Sequence, residues 1–212
     1  MWLWEALFNL LFPERPHCPL CGNTAAAGIC ASCRAVLAAF RARGFCARCG
    51  RYPARGEAPP GFVCPTCRRR EWPFVAARAA GPYGELLREA VHRLKYRGRR
   101  RLAVVLGQLM AEAARGDPLY HHVELCVPVP LAGARLAARG YNQAELLARE
   151  VGRRLGLEVV PALAKVRETP PQTGLGRAAR AANLEGTLVP VRPAPIRGRR
   201  VLLIVDVFTP GA

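Results

Sequence analysis

Four C-x-x-C pairs between residues 18 and 67 constrain this chain more than any other feature. Two intervening residues let one tight turn aim both sulfurs at one ion, and two such turns complete the tetrahedral thiolate site that a structural zinc prefers. Disulfides would need an oxidising compartment, and a redox C-x-x-C normally occurs singly. The pairs therefore predict two structural zinc sites, with sequential pairing favoured over interleaved pairing: Cys18, Cys21, Cys30 and Cys33 in a first ribbon, and Cys46, Cys49, Cys64 and Cys67 in a second.

The remaining composition predicts a packed domain with a strong positive field. Of the 212 residues 51% are hydrophobic, and 32 Lys+Arg against 15 Asp+Glu give a formal net charge of +17. Such a field favours polyanion partners, either nucleic acid or phosphorylated small molecules. An arginine excess that reflects GC-rich coding explains part of the charge equally well. Only Lys95 and Lys165 are lysines, which hints at sites that need a compact ammonium group.

The N-terminal stretch MWLWEALFNLLF is apolar, but it contains Glu5 and has no basic region before it. It is therefore a poor signal peptide, and no run approaches the roughly 20 apolar residues of a membrane span. We expect a helix over residues 1–16 that packs on the rest of the protein, with contact to a membrane surface as the alternative. A double ribbon over 17–70 and an α/β domain over 71–212 would follow. A cytoplasmic location is expected, with association at the inner face of the membrane as the alternative.

Beyond the cysteines, helical and strand patterns alternate, which predicts the α/β class with a largely parallel sheet. Asn142 is a good N-cap for one helix, and Cys126 reads as a small buried hydrophobe in a strand. VLLIVDV, residues 201–207, is apolar on both faces, as expected for a central parallel strand. The Pro/Gly-rich segment 168–177 is either a lid or a plain surface excursion. The predicted helices are GELLREAVHRLKYRG, RRLAVVLGQLMAEAARG and NQAELLAREVGRRLGL, and the other strands are VELCVPVP, LEVVPAL and GTLVPV.

The last predicted strand ends in an acid followed by a Thr-Pro-Gly turn, VDVFTPGA. Ligands of open α/β sheets bind beyond the carboxyl ends of the strands. A Thr-Gly turn presents N–H groups and a hydroxyl to a phosphate, and the acid can accept from a ribose hydroxyl or assist a metal ion. Many buried strands simply end in Asp and Gly, so the pattern alone leaves both interpretations open.

This stretch resembles the phosphoribosyl-pyrophosphate signature of type I phosphoribosyltransferases. The order of motifs along nearly the whole chain resembles the ComF family of competence proteins: the C-x-x-C ribbons, LKYRG (94–98), VPVPL (127–131), RGYNQAELLA (139–148), RETPPQTGLGRAARAANLEG (167–186) and the final strand. The resemblance implies a double zinc ribbon ahead of a phosphoribosyltransferase-like domain, and a role in handling incoming single-stranded DNA. It further implies two zinc ions, magnesium with phosphoribosyl pyrophosphate, and competence proteins such as an uptake helicase as partners.

The same resemblance implies roles for individual residues. Asp206 would contact the ribose hydroxyls as the acid of the catalytic site. The 5-phosphate would lie against Thr209, Gly211 and Ala212, and the pyrophosphate loop corresponds to Pro128, Val129 and Pro130. Further anion contacts would come from Lys95, Arg97 and Arg139, and the mobile-loop segment contains Gln172, Arg177 and Arg180.

The signature is degraded at two positions. Val205 stands where the family signature has an acid, and valine cannot accept a ribose hydrogen bond. Pro210 stands where the signature has threonine, and proline removes one backbone N–H from the phosphate cradle. The chain ends at Ala212, one residue before the signature's last threonine. We therefore expect a weakened site in a domain whose C-terminal part is missing.

Three functions follow from these features. The first is a competence factor that binds single-stranded DNA, in which the ribbon residues Arg48, Arg51, Arg68, Arg69 and Arg70 follow the phosphates while Tyr52 and Trp72 stack on bases. The second is an active phosphoribosyltransferase of nucleotide metabolism or salvage, with Mg²⁺ on the pyrophosphate. The third is a catalytically dead adaptor. The sequence favours the first.

Overall fold

The structure is a computed structural model that describes residues 17–26, 28–169, 182, 185–191 and 196–208. Its helices are α1 (Ala31–Ala42), α2 (Pro65–Arg69), α3 (Glu85–Tyr96), α4 (Leu102–Arg115), α5 (Gly133–Arg139) and α6 (Gln143–Leu155), with a 3₁₀ turn at Pro118–Tyr120. Its strands are β1 (Leu125–Pro128), β2 (Glu158–Val159), β3 (Leu163–Lys165), β4 (Leu188–Pro190) and β5 (Val201–Ile204).

Three parallel strands form the main sheet, in the order β2-β1-β5. Leu125 pairs with Val201 and Pro128 with Ile204, so β1 and β5 end at the same edge. Every residue of β1 is buried. β3 and β4 form a separate antiparallel pair. The predicted α/β class, with two cysteine ribbons ahead of a largely parallel sheet, is confirmed.

The helices supply the apolar faces that their sequence periods predict. Leu87, Val91 and Leu94 of α3 are buried, as are Leu102, Leu106 and Leu109 of α4, and Leu147 and Val151 of α6. The N-cap of α6 is the predicted Asn142, whose side chain accepts from the Ala144 N–H at 3.0 Å. Cys126 is fully buried in β1, as expected.

The first ribbon is continuous with the main core. Cys18, Leu20, Cys33 and Leu37 lie in the same buried cluster as residues of α3, α4 and α6. Arg93 of α3 also donates to the Leu20 carbonyl. The first four-cysteine site therefore packs directly against the core of the α/β domain.

The second ribbon joins the α/β domain through the segment that follows it. The Ala77 N–H donates to the Arg48 carbonyl at 2.8 Å. Gly50 has φ +66, and a β-carbon there would lie 2.4 Å from the Ala77 carbonyl oxygen, so only glycine permits this approach. Arg78 donates to the Ala47 carbonyl at 2.9 Å and pairs with Asp117 at 2.6 Å. The segment at 77–78 thus clamps the second ribbon.

Two strand predictions need correction. LEVVPAL was expected to be one strand, but the chain turns after Val159 and contributes β2 to one sheet and β3 to the other. VLLIVDV was expected to be a central strand, but among the described residues β5 pairs only with β1. Its Val201 and Leu203 side chains are 37% and 52% exposed. Apolar residues on both faces of a strand indicate that the strand can be buried, but they do not indicate which strands or helices cover it.

The expected N-terminal helix over 1–16 lies outside the described residues, as does all but the first two residues of the segment 168–177. Among the described helices, none is both long and apolar enough to cross a membrane.

Candidate functional site

The second knuckle of each ribbon opens a helix, and this explains how the cysteines are positioned. Cys30 is the N-cap of α1, and its sulfur accepts from the Cys33 N–H at 3.5 Å. Cys64 is the N-cap of α2, where Pro65 occupies the first turn without losing a needed donor. A cap followed by one helical turn directs both sulfurs of a C-x-x-C pair to the same side.

The structure groups the eight ribbon cysteines in the predicted sequential order. Within each group the sulfur atoms lie within 4.8 Å of one another: Cys18, Cys21, Cys30 and Cys33 in the first, and Cys46, Cys49, Cys64 and Cys67 in the second. None of these cysteines forms a disulfide. The second group is wholly buried, whereas Cys21 of the first group is exposed.

The spacing of the sulfurs fits zinc. Four sulfurs about 2.3 Å from a tetrahedral zinc are about 3.8 Å apart. The observed sulfur–sulfur distances are 3.7 Å for Cys21 and Cys30, and 3.8 Å for Cys49 and Cys64. All donors are thiols, and four of them leave no open coordination position. The clusters are therefore consistent with two structural zinc ions that stabilise the ribbon folds.

Backbone donors prepare one sulfur in each group to be a thiolate. Burial opposes ionisation of Cys18, but N–H groups, Cys30 first among them at 3.4 Å, lower the pKa of this thiol to about 6. At Cys46 the same balance, with the Cys64 N–H at 3.3 Å, lowers the thiol pKa to about 6. Metal ligation requires the thiolate, so these bonds favour the loaded state.

The carboxyl ends of β1 and β5 bring together two of the predicted sugar-phosphate elements. The Val129 N–H donates to the Ile204 carbonyl at 3.0 Å, so the turn Pro128–Pro130 lies beside the segment that contains Asp206. Asn142 fixes this turn from α6 by donating to the Val129 carbonyl at 3.0 Å. The edge thus has the arrangement that the topology of a parallel sheet predicts for a ligand site.

Lys95 of α3 forms an ion pair with Asp206 at this edge. The two side chains are 19% and 14% exposed, and the bonded oxygen of Asp206 is fully buried. One of the two lysines in the chain therefore neutralises the acid of the signature. The sequence identified both residues but did not predict their pairing.

Arg139 and Arg97 lie around the same helix end but contact other groups. Arg139 donates to Gln143, and its guanidinium lies 5.2 Å from the ring centre of Tyr96. Arg97 is 3.7 Å from Glu89. Whether these arginines contact an anion stays a prediction.

Several predicted residues lie outside the described residues, namely Thr209, Pro210, Gly211, Ala212, Gln172, Arg177 and Arg180. Val205, in place of the first of the two adjacent acids in the signature, is half-buried.

The second lysine lies in a cluster that sequence reasoning missed. Lys165 at the end of β3 donates to the Thr169 hydroxyl at 2.8 Å, and Arg135 donates to the Thr169 carbonyl. Burial, and then the charge of Arg135, lower the pKa of the Lys165 ammonium. Glu168 accepts from the Ala134 N–H at 3.0 Å. The start of segment 168–177 is thereby tied to the first turn of α5, which follows the Pro128–Pro130 turn.

A basic groove lies on the second ribbon. Its volume is about 780 Å³, and it is lined by Arg48, Pro59, Pro60, Gly61, Phe62, Val63, Cys67, Arg68, Arg69, Arg70 and Glu71. All four arginines are exposed, and within the described part of the chain none forms an ion pair with an acid. We call this cavity the arginine groove.

Three residues predicted for DNA contact, Arg51, Tyr52 and Trp72, do not line the arginine groove. Arg51 is half-buried. The ring of Tyr52 packs edge-on against Phe40 and Phe45, at centroid distances of 6.4 and 6.2 Å. Burial raises the pKa of the Tyr52 hydroxyl. Tyr52 is therefore part of the packing of the ribbon.

Comparisons with known proteins agree with these features. A family model described as the double zinc ribbon domain matches residues 7–68. Competence protein F of Haemophilus influenzae is 29% identical over 204 residues, covering 92% of this chain and 85% of that protein. The DNA utilization protein YhgH of Escherichia coli K12 is 27% identical over 192 residues, covering 87% of this chain and 80% of that protein. No solved structure significantly matches the chain.

The DNA utilization protein YhgH of Salmonella typhi is 30% identical over 193 residues, which cover 87% of this chain and 80% of that relative. At this coverage the alignment includes most of the ribbon region and most of the α/β region. The chain belongs to the family of competence protein F and the DNA utilization protein YhgH.

Proposed function

We propose that this chain handles single-stranded DNA during DNA uptake or utilization, and that it binds the strand in the arginine groove. The names of its relatives, competence protein F and DNA utilization protein, suggest the process. The observation that carries the proposal is the groove itself, where four guanidinium groups line one cavity and one of them, Arg70, lies beside Trp72.

The charges of the groove suit a phosphate backbone. Arg48, Arg68, Arg69 and Arg70 face a single acid, Glu71, among the lining residues. Arg68 is held in place because its Nε–H donates to the Val63 carbonyl at 3.0 Å. Arg68 and Arg70, which are already held by the Val63 carbonyl and the Trp72 ring, lose less side-chain freedom on binding phosphates than unrestrained arginines would, which favours affinity.

The salt dependence of affinity tests this proposal. A fluorescent oligodeoxythymidine is titrated with the zinc-loaded protein at several salt concentrations. Each phosphate contact to a single strand contributes about 0.7 to the slope of log affinity against log salt. The double variant Arg48→Gln/Arg69→Gln should therefore lower the slope by about 1.4 and weaken binding.

The matched control is Arg55→Gln/Arg88→Gln, which removes the same charge from two exposed arginines outside the groove. It should leave the slope nearly unchanged. Equal effects of the two double variants would mean that net charge, and not the groove, binds DNA. Absence of single-strand binding by the unmodified protein would refute the proposal.

A second candidate function is binding of phosphoribosyl pyrophosphate at the edge formed by β1 and β5. The observation that favours it is the meeting of Asp206, Lys95 and the Pro128–Pro130 turn at that edge. Asp206 would accept from ribose hydroxyls, and Mg²⁺ would bind the pyrophosphate. Because Val205 supplies no acceptor, a sugar hydroxyl buried there loses a partner, at a cost of about 1–3 kcal/mol.

Calorimetric titration of phosphoribosyl pyrophosphate with Mg²⁺ tests this second function. We expect weak binding by the unmodified chain and a gain of about tenfold with Val205→Asp, the fold-change equivalent of about 1.4 kcal/mol. Asp206→Asn in the same background should abolish the gain. If Val205→Asp leaves the heat of binding unchanged, the second candidate function is refuted, whereas the proposal for the arginine groove is unaffected.

A further inference from the structure

We propose that Trp72, Phe74 and Phe208 form a base-stacking strip that leads a single strand from the arginine groove to the Asp206 edge. We call these three side chains the aromatic row. The inference rests on the proposed single-strand binding and adds where the bases lie. Its ligand class is single-stranded nucleic acid with accessible base faces.

The three rings are in consecutive contact. The Trp72 and Phe74 rings are stacked, with centroids 5.7 Å apart and planes 16° from parallel. The Phe74 and Phe208 rings meet edge to face, also at 5.7 Å. Trp72 follows the ribbon directly, whereas Phe208 lies beyond β5, so the row spans both parts of the protein.

One end of the row contacts the arginine groove, and the other lies two residues beyond Asp206 in the chain. The Arg70 guanidinium lies 4.5 Å from the Trp72 ring centre and also lines the arginine groove. Phe208 follows Asp206 by two residues and is 38% exposed. The row therefore connects the groove to the sheet edge without a gap between adjacent rings.

The row is preorganised for flat ligands. The Trp72 indole N–H donates to the Cys67 sulfur at 3.1 Å, so the second cysteine group fixes the ring orientation. Trp72 packs against the cysteine cluster of the second ribbon, and Trp72 and Phe74 are each half-buried, so part of each ring stays open to solvent. Aromatic rings beside a positive groove are the elements that bind single strands without sequence preference.

Phosphate contacts require only the backbone of the strand, whereas stacking contacts also require its bases, and this difference allows a direct test. An abasic oligonucleotide retains the phosphates of a strand but has no bases to stack. In a Trp2→Phe/Trp4→Phe background, Trp72 is the only tryptophan and reports contact by fluorescence. We expect oligodeoxythymidine to quench Trp72, whereas an abasic strand of equal length binds more weakly and leaves the emission unchanged.

The Phe74→Leu variant then separates stacking from packing, because leucine keeps apolar bulk but presents no π face. It should weaken oligodeoxythymidine binding about tenfold and leave both the abasic affinity and the salt slope unchanged. The control Tyr83→Leu removes an aromatic ring that is 55% exposed and lies outside the row, and should change neither affinity.

Equal affinity for the two strands, without quenching of Trp72, would overturn the stacking strip while the arginine groove still bound DNA. Equal loss for both strands in Phe74→Leu would also overturn it, because the row would then be only a structural contact. The comparison of strands does not depend on the folding of Phe74→Leu. Failure of both strands to bind the parental protein would instead refute the proposed function.

Discussion

The contact between Arg78 and Asp117 should be the main electrostatic attachment of the second ribbon to the α/β domain. Arg78 Nε lies 2.6 Å from Asp117 Oδ2, and the side chains are only 8% and 14% exposed. The guanidinium also donates to the carbonyls of Ala47 and Ala77, and lies 4.8 Å from the ring centre of Phe45. One side chain therefore holds a knuckle loop, an aromatic ring and an acid.

The magnitude follows from the burial of this pair. Removing one member of a buried ion pair costs about 3–5 kcal/mol, because the other charge stays desolvated without a partner. Arg78→Met keeps the aliphatic bulk but leaves Asp117 alone, so we expect a loss of about 3 kcal/mol. Asp117→Asn should cost less, about 1–2 kcal/mol. The amide oxygen of the variant can still accept from the Leu119 N–H, and Arg78 still donates to the backbone carbonyls of Ala47 and Ala77.

Urea unfolding at saturating zinc, followed by circular dichroism, measures these free energies. The double variant should lose less stability than the sum of the single variants, by about 1–2 kcal/mol, because both remove the same interaction. Strict additivity, or a change below about 0.5 kcal/mol in Arg78→Met, would refute the view that this pair attaches the ribbon.

Three further predictions concern the interior. Lys95→Met should lower the unfolding free energy by about 2 kcal/mol, because it leaves the buried oxygen of Asp206 without its ion-pair partner. Adding Asp206→Asn to this variant should recover part of the lost free energy. If it recovers none, the Lys95–Asp206 ion pair is contradicted. Gly107→Ala should lower the unfolding free energy by about 1–3 kcal/mol in thermal or urea unfolding, because the new β-carbon would lie 2.7 Å from the Glu150 β-carbon. Unchanged stability would contradict this close packing of α4 on α6. Burial raises the pKa of the Cys126 thiol from 9.0 to about 11, so the contribution of Cys126 to stability should be constant below pH 9 and fall as pH rises toward 11, since the unfolded thiol ionises first. A Cys126→Ala variant that loses as much stability between pH 9 and 11 as the unmodified protein would contradict the assignment.

The sequence predicts the metal clusters well because their determinants are local. Cys30 and Cys33 are brought together by one helical turn, and the two-residue gap is visible in the sequence. The ligand-binding edge at Asp206 can also be predicted from the sequence, because a strand pattern that ends in a polar residue is visible without knowledge of distant contacts.

The long-range contacts could not be predicted in this way. Arg78 is one of 32 basic residues, and nothing in the sequence distinguishes its pairing with Asp117 from other combinations. Phe74 and Phe208 are equally unmarked, because two phenylalanines in irregular segments have no periodicity that would set them on one face. The break between β2 and β3 was missed because apolar residues continue across it.

Photo-crosslinking locates the bound strand and tests the central claim most directly. The zinc-loaded protein is irradiated with a single strand containing 5-iododeoxyuridine, and the cross-linked peptides are identified by mass spectrometry. We expect cross-links in the peptides that contain Phe62, Trp72 and Phe74, and their loss in Arg48→Gln/Arg69→Gln. Cross-links confined to an exposed basic run outside the groove, such as residues 97–101 between α3 and α4 or residues 197–200 before β5, would contradict the account and assign DNA binding to that run.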